Sequence, residues 1–430
     1  MLIRFEATNF RSIESAVELS MVAVDTDRAE AVPAELLGES LLKVAGVYGP
    51  NASGKSNVVA ALAWLRDAVV LSLRHWDEAI PYDPFAFGNG PTQPSTFTLE
   101  MTVDDVRFEY NLEVDATKVL RESLYHYPKK IRRKLFERDE NGLEFQRGLG
   151  RLSGTRDLLT PKTLVMSVAP RFEEPLVSGF AQQLRAIQTL GPTPTSRRGV
   201  YRRRPGHVGS RQTLRWFEDD DHPSLFDDDD AGANDDRAQA LALLRLADLG
   251  IEDVRLDEEE VPLRDSSETR TLVRIRLLHN LPGASVPLDF EEESQGTRTW
   301  FSLIGPVLQA LRTGTLVVFD ELDASLHPTL SAELIRIFKR RDTNPLGAQL
   351  LFTSHDTSLL RHLNRDEVWL TEKRGDGTTR LGSLAEFAGE RVRQSVNLEA
   401  GYLHGKFGAL PQVNQVEFLR ALGLIGRSDD

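Results

Sequence analysis

Residues 49–56 read Gly49-Pro50-Asn51-Ala52-Ser53-Gly54-Lys55-Ser56, and the chemistry of that spacing is the cradling of a phosphate chain. Glycines let backbone N–H groups turn inward toward a β-phosphate. Lys55 reaches the β/γ oxygens, the Ser56 hydroxyl is a hard ligand for Mg2+, and Asn57 extends the loop residues in reach. A second chemical group lies far along the chain, where the apolar run Leu316-Val317-Val318-Phe319 ends in Asp320-Glu321. Asp320 can hold the Mg2+ shell, and Glu321 can polarise a water attacking the γ-phosphate. An apolar strand ending in two acids is common by itself; paired with the glycine loop it is a specific signal.

Three further features accompany these two. Asp323 follows the acids directly, the run Leu350-Leu351-Phe352-Thr353-Ser354 ends in His355, and Ser294-Gln295-Gly296-Thr297 opens the helix before the acidic strand. A helix N-terminus carrying Ser and Gly is an anion site. Two phosphate-binding helix ends are one more than a single nucleotide needs. The surplus is explained if Ser294 to Thr297 caps the γ-phosphate held by another copy.

Hydrophobic periodicity supplies the elements that must position these groups. The apolar run 42–49 reads as a strand, and Val58, Val59, Leu62, Leu65, Val69 and Leu73 recur at helical spacing, so the glycine loop joins a strand to a helix. Alternation over 97–103 and 106–114, with Asp104-Asp105 between, predicts an antiparallel hairpin, and strand-like stretches at 120–127 and 133–138 extend it to a β-meander. Further along come a helix at 238–249 and strands at 254–256 and 272–277. Then follow a helix at 297–311, strand 315–319, helix 329–338, strand 349–352, a short helix near 358–363 and strand 367–370. Alternating strands and helices imply an α/β fold with a mostly parallel core sheet, an antiparallel meander and a helical insertion.

The resulting division is a lobe over 1–150, a helical region over 151–250, a second lobe over 251–380 and a helical tail over 381–430. Residues 191–236, rich in Pro, Gly, Ser and charge, read as a disordered insertion. The 430 residues include no cysteine, which rules out disulfides, thiolate metal sites and a cysteine nucleophile. No run approaches the roughly 18 apolar residues of a membrane span, and no cleavable leader is visible, so the chain reads as soluble and cytoplasmic, without a membrane partner.

The order of phosphate loop, Ser-Gln-Gly-Thr signature, acidic strand, D-loop and histidine resembles ABC-type ATPases of the SMC/RecF class. It is most similar to the stand-alone AAA family ATP-binding proteins of bacterial defence islands, RloA-like and related to the ATPase half of overcoming-lysogenisation-defect (OLD) nucleases. Asn9-Phe10-Arg11-Ser12-Ile13, Ala247-Asp248-Leu249-Gly250-Ile251 and the stretch 402–411 (YLHGKFGALP) carry the resemblance at both ends and in the middle.

The resemblance implies ATP as substrate and Mg2+ as cofactor. It makes Ser56 and Asp320 the metal residues, Glu321 the catalytic base and His355 the γ-phosphate switch. Ser294 and Gly296 become a signature acting in trans within Ser294 to Thr297, and Asp323 the D-loop acid; Arg11 lies near the phosphates. It implies a homodimer or higher oligomer through the ATP sites and, in anti-phage defence, a separate effector such as a nuclease or toxin. Gln295 receives no catalytic role, and Gln93 is a Q-loop candidate with an exposed turn as its alternative. His355 could instead cap the next helix, Asp323 could be an ordinary helix N-terminal acid, and Arg11 a surface arginine.

Net charge is −13, yet residues 197–215 hold seven arginines and no acid, while 218–236 hold ten acids and no Lys or Arg. These runs could meet nucleic acid or an acidic partner, or be solvated and neutralise each other. Lys129-Lys130-Ile131-Arg132-Arg133-Lys134 could likewise face DNA or protect a strand edge. No long heptad arm appears, and the 75 residues after His355 are too few for a nuclease domain. Leu398, Tyr402, Leu403 and Phe407 in the tail could dock an effector or pack on their own core. The leading expectation is a sensor or switch ATPase in defence. The alternatives are a RecF-like repair ATPase stimulated by DNA and an ATP-binding scaffold that does not hydrolyse.

Overall fold

The computed structural model describes residues 1–26, 28, 30–76, 78–149, 152, 154–172, 174–192, 207–218, 230–262, 269–387 and 398–403. Eighteen described strands form four sheets. The first is antiparallel and contains β1 (Leu2–Thr8), β2 (Val17–Ser20), β6 (Ser95–Val103), β7 (Val106–Val114), β8 (Val119–His126), β9 (Arg133–Asp139) and β10 (Gly142–Phe145), in the order β10-β9-β8-β7-β6-β1-β2. The expected meander is therefore present, and β1 and β2 extend it. Asp104 and Asp105 both have positive φ, 48° and 61°, the geometry that lets a two-residue turn follow the strand twist.

The second sheet runs β11-β15-β16-β5-β17-β18, made from β5 (Val44–Tyr48), β11 (Gln188–Leu190), β15 (Leu316–Phe319), β16 (Gln349–Thr353), β17 (Val368–Lys373) and β18 (Thr379–Ser383). All its pairings are parallel except β17 with β18, so the mostly parallel α/β core is as expected. β3 (Val32–Ala34) pairs with β4 (Glu39–Leu41), and β12 (Ile251–Pro262), β13 (Thr269–Leu281) and β14 (Ala284–Asp289) form a long three-stranded ribbon. That ribbon is longer than the apolar stretches suggested, because the run Asp257-Glu258-Glu259-Glu260 breaks the apolar pattern in β12.

The helices are α1 (Lys55–His75), α2 (Thr155–Leu158), α3 (Val165–Val168), α4 (Pro175–Ala186), α5 (His207–Leu214), α6 (Asp230–Ala247), α7 (Gln295–Thr313), α8 (Leu322–Ser325), α9 (Pro328–Lys339), α10 (Leu384–Phe387) and α11 (Leu398–Leu403). Side-chain alternation on the parallel strands decides the layering. Ala45, Val47, Val318 and Leu351 face α1 and the antiparallel sheet, whereas Val44, Tyr48, Val317, Phe319, Leu350 and Phe352 face α7 and α9. Helix α1 lies between two sheets and is buried on most sides, which explains its nearly uniform apolarity.

By length and composition α1 could cross a membrane, which corrects the expectation that no such stretch exists; most of that stretch is instead buried inside the protein. Trp64 shows the packing. Its ring stacks on Phe97 at 4.6 Å, and its Nε1 donates to the Pro81 carbonyl at 2.7 Å. Truncating such a buried aromatic to alanine costs about 3–5 kcal/mol.

Two expectations need correction. Residues 207–218, inside the stretch read as disordered, form α5 and a turn that buries Thr213, Trp216 and Phe217 against α7. Three buried positions among 210–218 are too few to register as periodicity. Helix α6 begins at Asp230, eight residues before the expected start. Residues 193–206 and 219–229, which hold most of both charge runs, lie outside the described residues, as do Phe407 and the rest of 404–430. Leu398 and Tyr402 belong to the core, with Tyr402 edge-on to Tyr48 at 6.4 Å; the described part of the tail packs on its own protein.

Candidate active site

The glycine loop follows β5, the fourth strand of the parallel sheet, and its shape is set by neighbours on β17 and β18. Gly49 has φ 151°, and a Cβ there would lie 2.4 Å from the Thr371 hydroxyl; Gly54 has φ 104°, with Thr379 Oγ1 only 2.0 Å from where a Cβ would stand. Thr379 Oγ1 donates to the Ser53 carbonyl at 2.9 Å and lies 2.7 Å from Ser12 Oγ. Thr371 Oγ1 is 2.6 Å from Ser53 Oγ. Asn51 and Ala52 are exposed at the tip, and Ser56 and Asn57 are half-buried in the first turn of α1. Asn57 Nδ2 donates to Ser12 Oγ at 2.6 Å, so in this structure its side chain supports the loop.

Lys55 is buried, and its Nζ donates to the carbonyls of Gly49 (2.8 Å) and Pro50 (3.0 Å) and lies 3.4 Å from His355 Nδ1. Burial brings its pKa down from 10.5 to about 8, against the pull of Asp323, Glu321 and Asp320. A triphosphate on this ammonium would restore the charged form, so binding above pH 8 takes up a proton. ATP affinity is therefore expected to be flat in this respect below pH 8 and to fall above it, by up to about tenfold per unit. Titrating ATP by calorimetry from pH 7 to 9.5 measures this, and Lys55→Ala should abolish the slope.

Asp320 is buried at the end of β15. The parallel register that pairs Phe319 with Phe352 places Thr353 beside it. Thr353 Oγ1 donates to Asp320 Oδ1 at 2.7 Å and accepts the Glu321 N–H at 2.7 Å, so one hydroxyl fixes both acids. Glu321 has φ 53°, a left-handed backbone rare for glutamate, which turns the chain sharply into α8. Asp323, in the first turn of α8, accepts the His355 N–H at 3.1 Å. Lys55, His355 and Asp323 thus form one connected group.

His355 is exposed, and the cap of the following 3-10 helix is Asp356, whose carboxylate accepts the Ser358 N–H; the capping alternative for His355 falls. Arg11 is buried, with its Nη2 3.5 Å from Asp83 and its guanidinium over Phe10, so it is not a surface arginine. Its neighbour Ser12 touches Asn57 and Thr379. Gln93 has an exposed side chain, and it is its backbone carbonyl that Asn9 and Tyr82 bind, the arrangement of a turn.

The signature stands at a different helix end. Ser294 caps α7, its Oγ accepting the Thr297 N–H at 3.1 Å, while Ser294, Gln295 and Gly296 are exposed. The buried Glu293 beside them pairs with His279 of β13 at 2.7 Å, a support that sequence spacing did not reveal. Among the described residues, no hydrogen bond of Ser294 to Thr297 reaches the phosphate loop.

Ser56 and Asp320 offer two hard oxygen donors, and no described cluster of three or more His, Cys, Asp or Glu could hold a metal alone. That set fits Mg2+, which keeps waters and leans on substrate phosphates. When bound there, Mg2+ would neutralise charge on the phosphate oxygens. Among the chain's own residues, Lys55 offers a cation, Asp320 is held at one oxygen by Thr353, and Glu321 is presented half-exposed beside it.

None of the curated proteins matches this sequence. Among solved structures, the chain is similar to an SMC head bound to the C-terminal winged-helix domain of ScpA (13% identity, TM-score 0.48, covering 90% of this chain and 99% of that one). It is also similar to the SMC head domain from Thermotoga maritima (12%, 0.41, covering 89% and 98%). A third is the SMC head with an extended coiled coil bound to the ScpA C-terminal domain derived from Pyrococcus furiosus (13%, 0.43, covering 90% and 97%). The family described as "AAA domain, putative AbiEii toxin, Type IV TA system" matches residues 44–162 and 192–361, which include the phosphate loop, signature, acidic strand and His355. With two thirds of its length matched and the loop geometry above, the chain belongs to this AAA-domain ATPase family.

Proposed function

We propose that this protein hydrolyses ATP to ADP and phosphate with Mg2+, at sites completed by the signature helix of a second copy, and uses the cycle as a timed switch. The observation that carries the reading is the split site. Lys55, Asp320, Glu321, Asp323 and His355 gather at one end of the parallel sheet, while Ser294, Gln295 and Gly296 stand exposed at a helix end where the hydrogen bonds among the described residues are local. On this reading Lys55 and Ser56 bind the triphosphate with Mg2+ shared by Asp320, and Glu321 orients the water for in-line attack. His355 contacts the γ-phosphate, Asp323 holds the histidine backbone, and Arg11 lies near the phosphates. Residues 1–150 and 251–380 act as the two ATPase lobes, 151–250 as a helical region, and 381–430 as a tail available to a partner.

The biological setting we propose is bacterial anti-phage defence in the manner of stand-alone RloA-like ATPases, with a nuclease or toxin as separate effector. The toxin–antitoxin description of the family supports that setting. The RecF-like alternative draws less support, because two members of the basic cluster are already paired: Arg132 with Glu109, and Lys134 with Glu137 and Glu144.

Mixing variants tests the shared site. Ser294→Arg and Glu321→Gln should each be inactive alone, and their mixture should regain up to about half of native turnover, because one site then has a sound loop, base and signature. An inactive mixture of two folded, ATP-binding variants would show that the signature does not act in trans.

A further inference from the structure

Helix α7 carries Ser294 to Thr297 at its N-terminal end, and its middle is gripped from outside. Thr213, fully buried at the end of α5, donates its hydroxyl to the Phe301 carbonyl at 2.6 Å and accepts the Gly305 N–H at 2.9 Å. Those two groups are i, i+4 partners in an α-helix, so the Thr213 oxygen sits on a rung of α7's own ladder. The next residue, Pro306, has no N–H to offer Ser302, so the ladder is weakest here. Gly305 permits the approach: a Cβ there would lie 2.4 Å from the Thr213 backbone nitrogen. Phe217 then stacks on Phe301, with rings 5.9 Å apart and 12° from parallel.

We propose that Thr213 is a positioning residue for ATP hydrolysis, setting the course of α7 at its weakest rung and thereby the place of Ser294 to Thr297 against a second copy's nucleotide. The inference rests on the trans reading of that helix end. Phe301 lies seven residues beyond Ser294, roughly 10 Å along the helix axis, so a tilt of about 6° at the rung moves the signature by about 1 Å. A misplacement of that size costs up to about a hundredfold in rate.

The test uses the full chain. Thr213→Val keeps the side chain's shape and removes the hydroxyl. Turnover should fall roughly ten- to a hundredfold, ATP affinity should stay within about twofold, and Thr213→Ser should restore the rate. Mixed with Glu321→Gln, whose α7 is intact, the Thr213→Val protein should regain turnover, since it still contributes a sound loop and base. A purely structural role would not be complemented by a second chain. Should Thr213→Val fail to fold, Thr213→Ala is measured in the same way. Unchanged turnover, turnover lost together with ATP affinity, or no rescue by serine overturns the proposal. So does an inactive mixture when Ser294→Arg mixed with Glu321→Gln is active. If neither mixture is active, the trans reading falls and the role of Thr213 falls with it.

Discussion

Glu321→Gln is expected to bind ATP within about twofold of the native protein and to lose turnover by about 10²- to 10⁴-fold. The substitution keeps the side chain's size and leaves the Glu321 N–H free to donate to Thr353, so the left-handed turn and the neighbouring Asp320 stay in place. What it removes is the carboxylate that, in the proposed function, orients and deprotonates water. With hydrolysis stopped and binding intact, nucleotide should accumulate between two signature ends, and light scattering after gel filtration should find a pair of chains with ATP and single chains without it. Native turnover by Glu321→Gln would remove this residue from the chemistry. Slow turnover in the native protein itself, by contrast, would favour the scaffold alternative.

The second large effect is expected from Gly54→Ala. The new methyl would lie 2.0 Å from Thr379 Oγ1 and 2.7 Å from its Cγ2, on a backbone with φ 104°. Thr379 cannot swing away cheaply, because its hydroxyl is committed to the Ser53 carbonyl and to Ser12. Backbone strain of roughly 1–3 kcal/mol adds to the clash. Both must be relieved by moving the loop that would hold the phosphates, so ATP affinity should fall at least about a hundredfold. A double-mutant cycle separates the two terms: Thr379→Ala added to Gly54→Ala should recover part of the affinity, the clash, and leave the strain. Full affinity in Gly54→Ala would show that ATP binds elsewhere.

The residues that touch phosphate or water in this scheme were legible because their types and spacing are chemical requirements. A loop of fixed length must end in Lys55-Ser56, and an apolar strand must deliver Asp320 and Glu321. The residues that hold them were not legible. Thr353, Thr371, Thr379 and Ser12 are ordinary hydroxyls whose importance comes from sheet register, which pairs β5 with β16 and β17 across hundreds of residues and sets β15 beside β16 and β17 beside β18. A hydroxyl at the end of a strand adjacent to the acidic strand was the available signal for Thr353. The helix α5 was hidden for a related reason. Thr213 of α5 and Trp216 and Phe217 of the turn after it are buried against α7 in a stretch dominated by charge, so packing contributed by a distant helix decided what local composition argued against.

The layering of the two large sheets has a mechanical side. Gln349, at the start of β16, accepts the Leu2 N–H and donates to the carbonyls of Leu2 (3.0 Å) and Leu42 (2.9 Å), so a single buried amide ties β1 to the strand that ends at Thr353. The antiparallel sheet and β16 are thereby pinned together at the end of β16 away from Thr353.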